Sequence, residues 1–352
     1  MDTILQEKHG FERYKLIIKN RLLYLIITGL AGFVSIVVDI STGPANIPLK
    51  EVFQIIIFPG SADKSKEIII WSLRLPMAVM AVSVGASLSV AGAEMQTILS
   101  NPLASPYTLG ISAGAGFGAA LAMVLGVNFV GGDGSLMVSA NAFIFSILTC
   151  ILIFFISEIK GVTIETMVLT GIALLFLFSS LLTLLQYLAS EEELQAVIFW
   201  LFGSLQKATW KRVFIISGIF ILIFALLMRE SWSLTALRLG DERAEALGIR
   251  VKSLRLRVFI YVSTMTASAV CFVGTIGFIG LVGPHIARIA VGEEQRFFIP
   301  MSAFTGALLL SFSSVLSKVI IPGILFPIGI ITSFIGVPFF ITLILTKNKI
   351  FW

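Results

Sequence analysis

Long, almost uninterrupted apolar runs recur along the whole chain, and they decide what it can fold into. In a bilayer every backbone N–H and C=O must find its partner within the protein. Runs of about 20 apolar residues therefore become transmembrane helices. Composition agrees: of 352 residues, 57% are hydrophobic and only 13% charged, about half of the ~25% charged residues in a soluble domain. This balance excludes an ordinary soluble enzyme and a disordered chain. It also excludes a nucleic-acid binder, because the bases sit in segments between apolar runs and form no single stripe.

Ten spans are expected, at residues 22–40, 75–95, 107–128, 137–157, 166–188, 212–229, 257–275, 277–291, 302–321 and 328–346. The eighth is short, so nine crossings is the alternative. The fold class is thus an all-α polytopic membrane protein of about ten transmembrane helices. Residues 1–21 read as an amino-terminal tail, 22–346 as one transmembrane domain and 347–352 as a carboxy-terminal tail. The first residues are too charged for a secretory signal. With ten spans, 17 of the 25 basic residues fall on one side, among them Arg21, Arg238, Arg243, Arg250, Arg255 and Arg288. The positive-inside rule makes that side cytoplasmic and places both termini there. Lys50, Lys64, Lys66, Arg74, Lys207, Lys211, Arg212 and Lys318 fall outside.

Few residues offer chemistry. Cys150 and Cys271 lie in apolar runs and read as small buried side chains. His9 and His285 have no converging ligands for a metal. Glu94, near the inner end of span two, reads as interfacial, and Asp39 falls at the outer end of span one. No G-x-x-x-x-G-K-[ST] pattern occurs, so uphill transport would draw its energy from another chain. Gly110, Gly114 and Gly118 form a ladder for close helix packing. GAGFGA (114–119) also fits a dinucleotide pattern, a reading rejected because no βαβ unit surrounds it. Gly274, Gly277, Gly280 and Gly283 point to close packing or to a break between spans seven and eight. Three proline-bearing segments, NPLASP (101–106), GPHIAR (283–288) and FPIGI (326–330), are expected to interrupt helices. Broken backbone at membrane depth is tolerated only inside protein or beside a water-filled cavity, so together they suggest a pathway.

The segment 230–256 is polar. SLTALRLG and DERAEALG read as two short helices, with Asp241 as N-cap and Gly248 as stop. It is either a solvated connection or a rigid docking surface for a cytoplasmic partner.

The run LRLPMAVMAVSVGASLSVAGAEMQTILSNPLASPYTLGISAGAG (73–116) resembles the signature of the FecCD/BtuC-like permeases of iron-siderophore, haem and cobalamin ABC importers. WLFGSL (200–205) with Trp210, LGDERAEALGI, GFIGLVGPHIARIAVG (277–292) and FPIGIITSFIGVPFF (326–340) follow in matching order. The resemblance implies a BtuC-like type II ABC importer permease with ten transmembrane helices. It implies a second permease subunit, in a homodimer or heterodimer, two cytoplasmic ATPases and an extracytoplasmic substrate-binding protein. No cofactor is expected on this chain, and ATP and Mg would be used by the partner ATPase. The implied location is the bacterial cytoplasmic membrane, among lipid and without nucleic acid.

Site roles carry over by motif. Leu239, Gly240, Asp241, Glu242, Ala244, Leu247 and Gly248 fall in the ATPase-coupling segment, at about 233–251. Asn101 and Leu103 match the inner gate, and Thr163 and Thr166 a second gate segment. Thr166 and Thr170, with Ser179, Ser180 and Thr183 of span five, are expected to line the pathway. Arg74 and Lys318 match basic positions that dock the binding protein. The chain departs from the family at Met77, where a second Arg is common, at Ser314, where an Asp pairs with the basic position, and before Pro327, where Leu325 and Phe326 replace a Glu. A different second permease or a less acidic binding protein would account for these losses. The expected cargo is a ferric siderophore, with haem or a corrinoid as alternative. Rivals of other classes are a secondary carrier without an ATPase and a membrane-embedded enzyme.

Overall fold

The computed structural model describes residues 2–45, 47–130, 134–160, 162–321 and 323–345, and these contain helices and no strands. The helices are α1 (Asp2–Ser41), α2 (Leu49–Ile57), α3 (Lys64–Ile68), α4 (Leu75–Ile98), α5 (Ile111–Leu125), α6 (Gly134–Lys160), α7 (Ile164–Leu188), α8 (Glu191–Leu201), α9 (Trp210–Leu237), α10 (Asp241–Ala246), α11 (Val251–Val273), α12 (Ile279–Val291), α13 (Gln295–Val319) and α14 (Ile328–Leu345). Among the described residues, seven apolar helices are long enough to cross a membrane. Shorter apolar helices are α5, α12 and α14. Each expected span coincides with one of these ten. The end of the tenth span and the carboxy-terminal tail lie outside the described residues.

Several boundaries differ from expectation. The tail and the first span form one continuous helix, since nothing in residues 2–41 breaks it. The GPHIAR segment does not interrupt a helix: Pro284 sits inside α12. The break falls just before it, at 274–278, where Gly274 takes φ +77° and Phe278 φ +67°. NPLASP and the residues around Pro327 are non-helical, as expected.

Helix α4 is the hub. It packs against α9, α11, α12 and α13, and nearly all of it is buried. Lipid tails give helices no hydrophobic reason to associate, so backbones must approach closely to gain dispersion energy. Here they do. A Cβ on Gly92 would overlap the Gly280 carbonyl of α12, and one on Gly85 the Gly306 carbonyl of α13. The ladder in α5 serves the same end: a Cβ on Gly114 would lie 2.9 Å from the Phe145 carbonyl oxygen, and one on Gly118 2.5 Å from that of Asn141. A π-turn at Ile69–Arg74 feeds α4, with Leu75 N–H bonded to Ile70 O. Pro76 lacks the donor that would continue the α pattern, and the wider turn absorbs that loss.

The carboxyl end of α1 carries orphan carbonyls and the negative end of the helix dipole. Two buried cations meet it. Arg74 (5% exposed) donates through Nη1 to the carbonyls of Ile40 (3.0 Å) and Ser41 (2.9 Å), and through Nη2 to that of Ala45. Lys318 (7% exposed) donates to the Asp39 carbonyl at 3.0 Å and to Asp39 Oδ1 at 2.7 Å. Lys318→Ala strands a fully buried Asp39 carboxylate and is expected to cost about 3–5 kcal/mol. The paired change Asp39→Leu with Lys318→Met should recover most of it. Thermal melting in detergent checks both.

Candidate transport pathway and coupling site

Helix α10 lies in the turn between α9 and α11. The expected first short helix, SLTALRLG, is not separate: Ser233 to Leu237 finish α9, because no Gly or Pro interrupts that stretch. The turn comes at Gly240, with φ +98°, which is the residue preceding α10. Asp241 is therefore the first helical residue and not the N-cap. Helix α10 ends as expected at Gly248, with φ +83°. Gly248 N–H bonds Glu245 O (2.9 Å) and Ile249 N–H bonds Ala244 O (3.1 Å), the paired bonds of a glycine-stopped helix. Ala244 is fully buried, while Leu239, Gly240, Asp241, Glu242, Leu247 and Gly248 are exposed. The result is a rigid knob with two exposed leucines flanking charged residues.

The loop 99–110 starts at the same end of the bundle. Ser100 takes φ +46°. Asn101 N–H bonds Gln96 O (3.1 Å) and Ser100 N–H bonds Thr97 O (3.3 Å), so α4 stops sharply before Pro102. Asn101 Oδ1 accepts from Leu103 N–H at 2.9 Å, and both side chains are exposed. Thr163 and Thr166 form a reciprocal capping box at the start of α7, each N–H reaching the other's hydroxyl at 3.3 Å. Thr170 is buried one turn further on. Leu99, Ala104, Leu109, Met167 and Ala244 belong to one hydrophobic cluster, with Val162 and Ile164 packed against it. Loop 99–110, the α7 start and α10 thus each contribute to the same hydrophobic cluster.

The far side of that loop faces a cavity of about 750 Å³. Ser105, Pro106, Tyr107, Thr108 and Ser112 form one wall. Phe202, Thr275, Ile276, Phe278 and Gly329 form another, with Thr266, Ser333, Phe334 and Val337 between. Irregular backbone lines much of it. Around Phe202 the chain is tied by Gly329 N–H to Phe202 O (3.0 Å) and Ile328 N–H to Gly203 O (3.1 Å), so these polar groups are satisfied within protein. Among the described residues, no charged side chain lines the cavity. Phe334 is 73% exposed and Tyr107 51% exposed, so a single chain leaves one side open. Of the span-five hydroxyls, Thr166 caps α7 and Thr170 is buried, while Ser180 and Thr183 are exposed on the outer face of the single chain, away from this cavity.

A charged network lies near α10. Arg238 pairs with Glu293, Arg288 Nε lies 3.1 Å from the same Glu293, and Arg21 pairs with Glu294. Arg288 also donates to Gln96 Oε1 at 2.8 Å. Glu94 is fully buried within the protein beside this network. Arg74 and Lys318 are at the opposite end, buried and committed to α1, which leaves neither free to meet a docking partner. Among the described residues, no group of His, Cys, Asp and Glu could hold a metal.

The sequence reading missed Arg255, one of seven bases between 229 and 257. It is 3% exposed. Its Nη1 and Nη2 donate to Asp241 Oδ2 (2.7 Å) and Oδ1 (2.8 Å), and its Nε donates to the Ile98 carbonyl (3.0 Å). A buried Arg one turn into α11, facing an acidic helix start, was the available signal.

Residues 30–346 match the FecCD transport family. An ABC transporter permease protein of Methanocaldococcus jannaschii is 36% identical over 346 residues, covering 96% of this chain and 98% of that one. The hemin transport system permease protein of Yersinia pestis is 34% identical over 281 residues, covering 80% and 84%. A solved inward-facing metal-chelate type ABC transporter superposes with a TM-score of 0.79 at 28% identity, covering 93% of this chain and 99% of that one. An apolar bundle of membrane-length and shorter helices with an open-sided cavity, the chain matches permeases of this kind over nearly its whole length, belongs to the FecCD transport family and is the membrane-spanning permease subunit of an ABC importer.

Proposed function

We propose that the chain is the permease of an importer for a ferric siderophore, with haem or a corrinoid as the alternative cargo. It would work by alternating access as half of a permease dimer. The observation that carries this reading is the double tie of loop 99–110: at its start the Ile98 carbonyl accepts from the Arg255 that also holds Asp241 of α10, and further on the loop lines the cavity. A partner ATPase gripping Leu239, Glu242 and Leu247 can therefore move the cavity wall through Asn101 and Leu103. The charge count supports placing the α10 end in the cytoplasm, with an extracytoplasmic binding protein at the opposite end. The open side of the cavity suits closure by a second permease. Lined by hydroxyls and aromatic rings without charge, the cavity suits a bulky chelate whose metal charge is already satisfied. A bare oxyanion or cation would lose its hydration there with nothing to replace it. Exposed cations at the opposite end include Lys64, Lys207 and Lys211, which can replace Arg74 and Lys318 in orienting a binding protein.

Purification through a tag on this chain is expected to bring an ATPase with it. Deleting the chain is expected to abolish cellular uptake of radiolabelled ferric hydroxamate, with hemin and cyanocobalamin as comparison cargoes. Undiminished uptake of all three would refute the reading.

A further inference from the structure

We infer that Arg255 is the positioning residue that makes α10 and the end of α4 move as one piece. The inference rests on the coupling role proposed for α10. Hydrophobic contact holds these elements together, but apolar surfaces slide at little cost. Directional bonds do not. One guanidinium, buried and planar, spends its bidentate fork on Asp241, the first residue of α10, and its Nε on the carbonyl of Ile98, the last residue of α4. That carbonyl is one of the orphans at a helix end. The next residues are Leu99, Ser100 and Asn101, the beginning of the cavity-lining loop. A single cation therefore ties the docking knob to the end of α4, from which the cavity-lining loop starts. A lysine cannot reproduce this, because a point-like ammonium lacks the rigid fork that serves a carboxylate and a carbonyl together.

Arg255 is itself buried, holds Asp241 from beneath and does not line the cavity, so its loss should separate ATP hydrolysis from transport. The test uses the complete permease–ATPase complex in proteoliposomes with its binding protein, and radiolabelled ferric hydroxamate as probe. The readout is cargo moved per ATP hydrolysed. Arg255→Lys is expected to lower that ratio about tenfold, a size typical of broken coupling networks, while the ATPase still docks and hydrolyses. Adding Asp241→Glu, whose longer carboxylate reaches the shorter amine, is expected to restore part of the ratio. A merely structural role would lower transport and hydrolysis together and leave the ratio unchanged, which overturns the inference. Should Arg255→Lys not fold, Asp241→Asn is measured instead, and an unchanged ratio there overturns it equally. Failure of the underlying coupling reading would look different: no ATPase would dock on the native chain at all.

Discussion

Gly248→Pro is expected to abolish transport-coupled ATP hydrolysis while leaving the bundle folded. Gly248 sits at φ +83°, which proline, fixed near −65°, cannot adopt. The substitution also removes the N–H that bonds Glu245 O and so closes α10. Nothing lies within 4 Å of a Cβ built there, and the residue is exposed, so the damage stays local. What changes is the shape of the knob: Leu247 and Glu245 leave their fixed positions and the ATPase loses its grip. Stimulated hydrolysis should fall at least tenfold, or by more than about 1.4 kcal/mol of interaction, at unchanged expression and unchanged melting temperature. Full coupled activity in a folded Gly248→Pro complex would contradict the role given to α10.

Gly92→Val is expected to prevent folding altogether. Its Cβ would overlap the Gly280 carbonyl, and backbone cannot step aside as a flexible side chain can. Helices α4 and α12 would have to separate, and with them the contacts that α4 makes to α13. Overpacking of a tight interior costs about 1–3 kcal/mol even where side chains can adjust; here they cannot, and the loss should exceed that range. Gly218→Ala is the matched control: it lies mid-helix in α9 with nothing within 4 Å. It should be neutral, or stabilising by about 0.5–1 kcal/mol as Ala replaces a flexible Gly. Yield of monodisperse protein in detergent separates the two outcomes.

The spans were legible because hydropathy is local, and so was the stop at Gly248, which needs only a Gly after a helical run. Helix α8 was overlooked although Ser190 and Glu193 announce it as a capping box; at 11 residues it is too short to register as a span. The continuity of α9 through Leu237 was readable too, since only Arg238 and Leu239 precede Gly240. The burial of Arg74 and Lys318 was not. Their partners lie about 30 and 279 positions away along the chain, and charge alone placed both at a membrane surface. The cavity was only half legible. Pro102, Pro106 and Pro327 marked irregular backbone, but the sequence held no signal that residues around Thr275 and Ser333 would complete the wall. In a helix one face can turn to the cavity and another to lipid or a partner, and apolar periodicity distinguishes neither.

The central claim is that loop 99–110 carries the motion of α10 to the cavity. Its most direct measurement is the reactivity of Tyr107→Cys toward a water-soluble maleimide, in the full complex in nanodiscs, without nucleotide and with ATP trapped by vanadate. The account predicts reactivity that differs between the two states in the otherwise native chain and becomes insensitive to nucleotide once Gly248→Pro is added. Equal reactivity in both states of the native chain would contradict it.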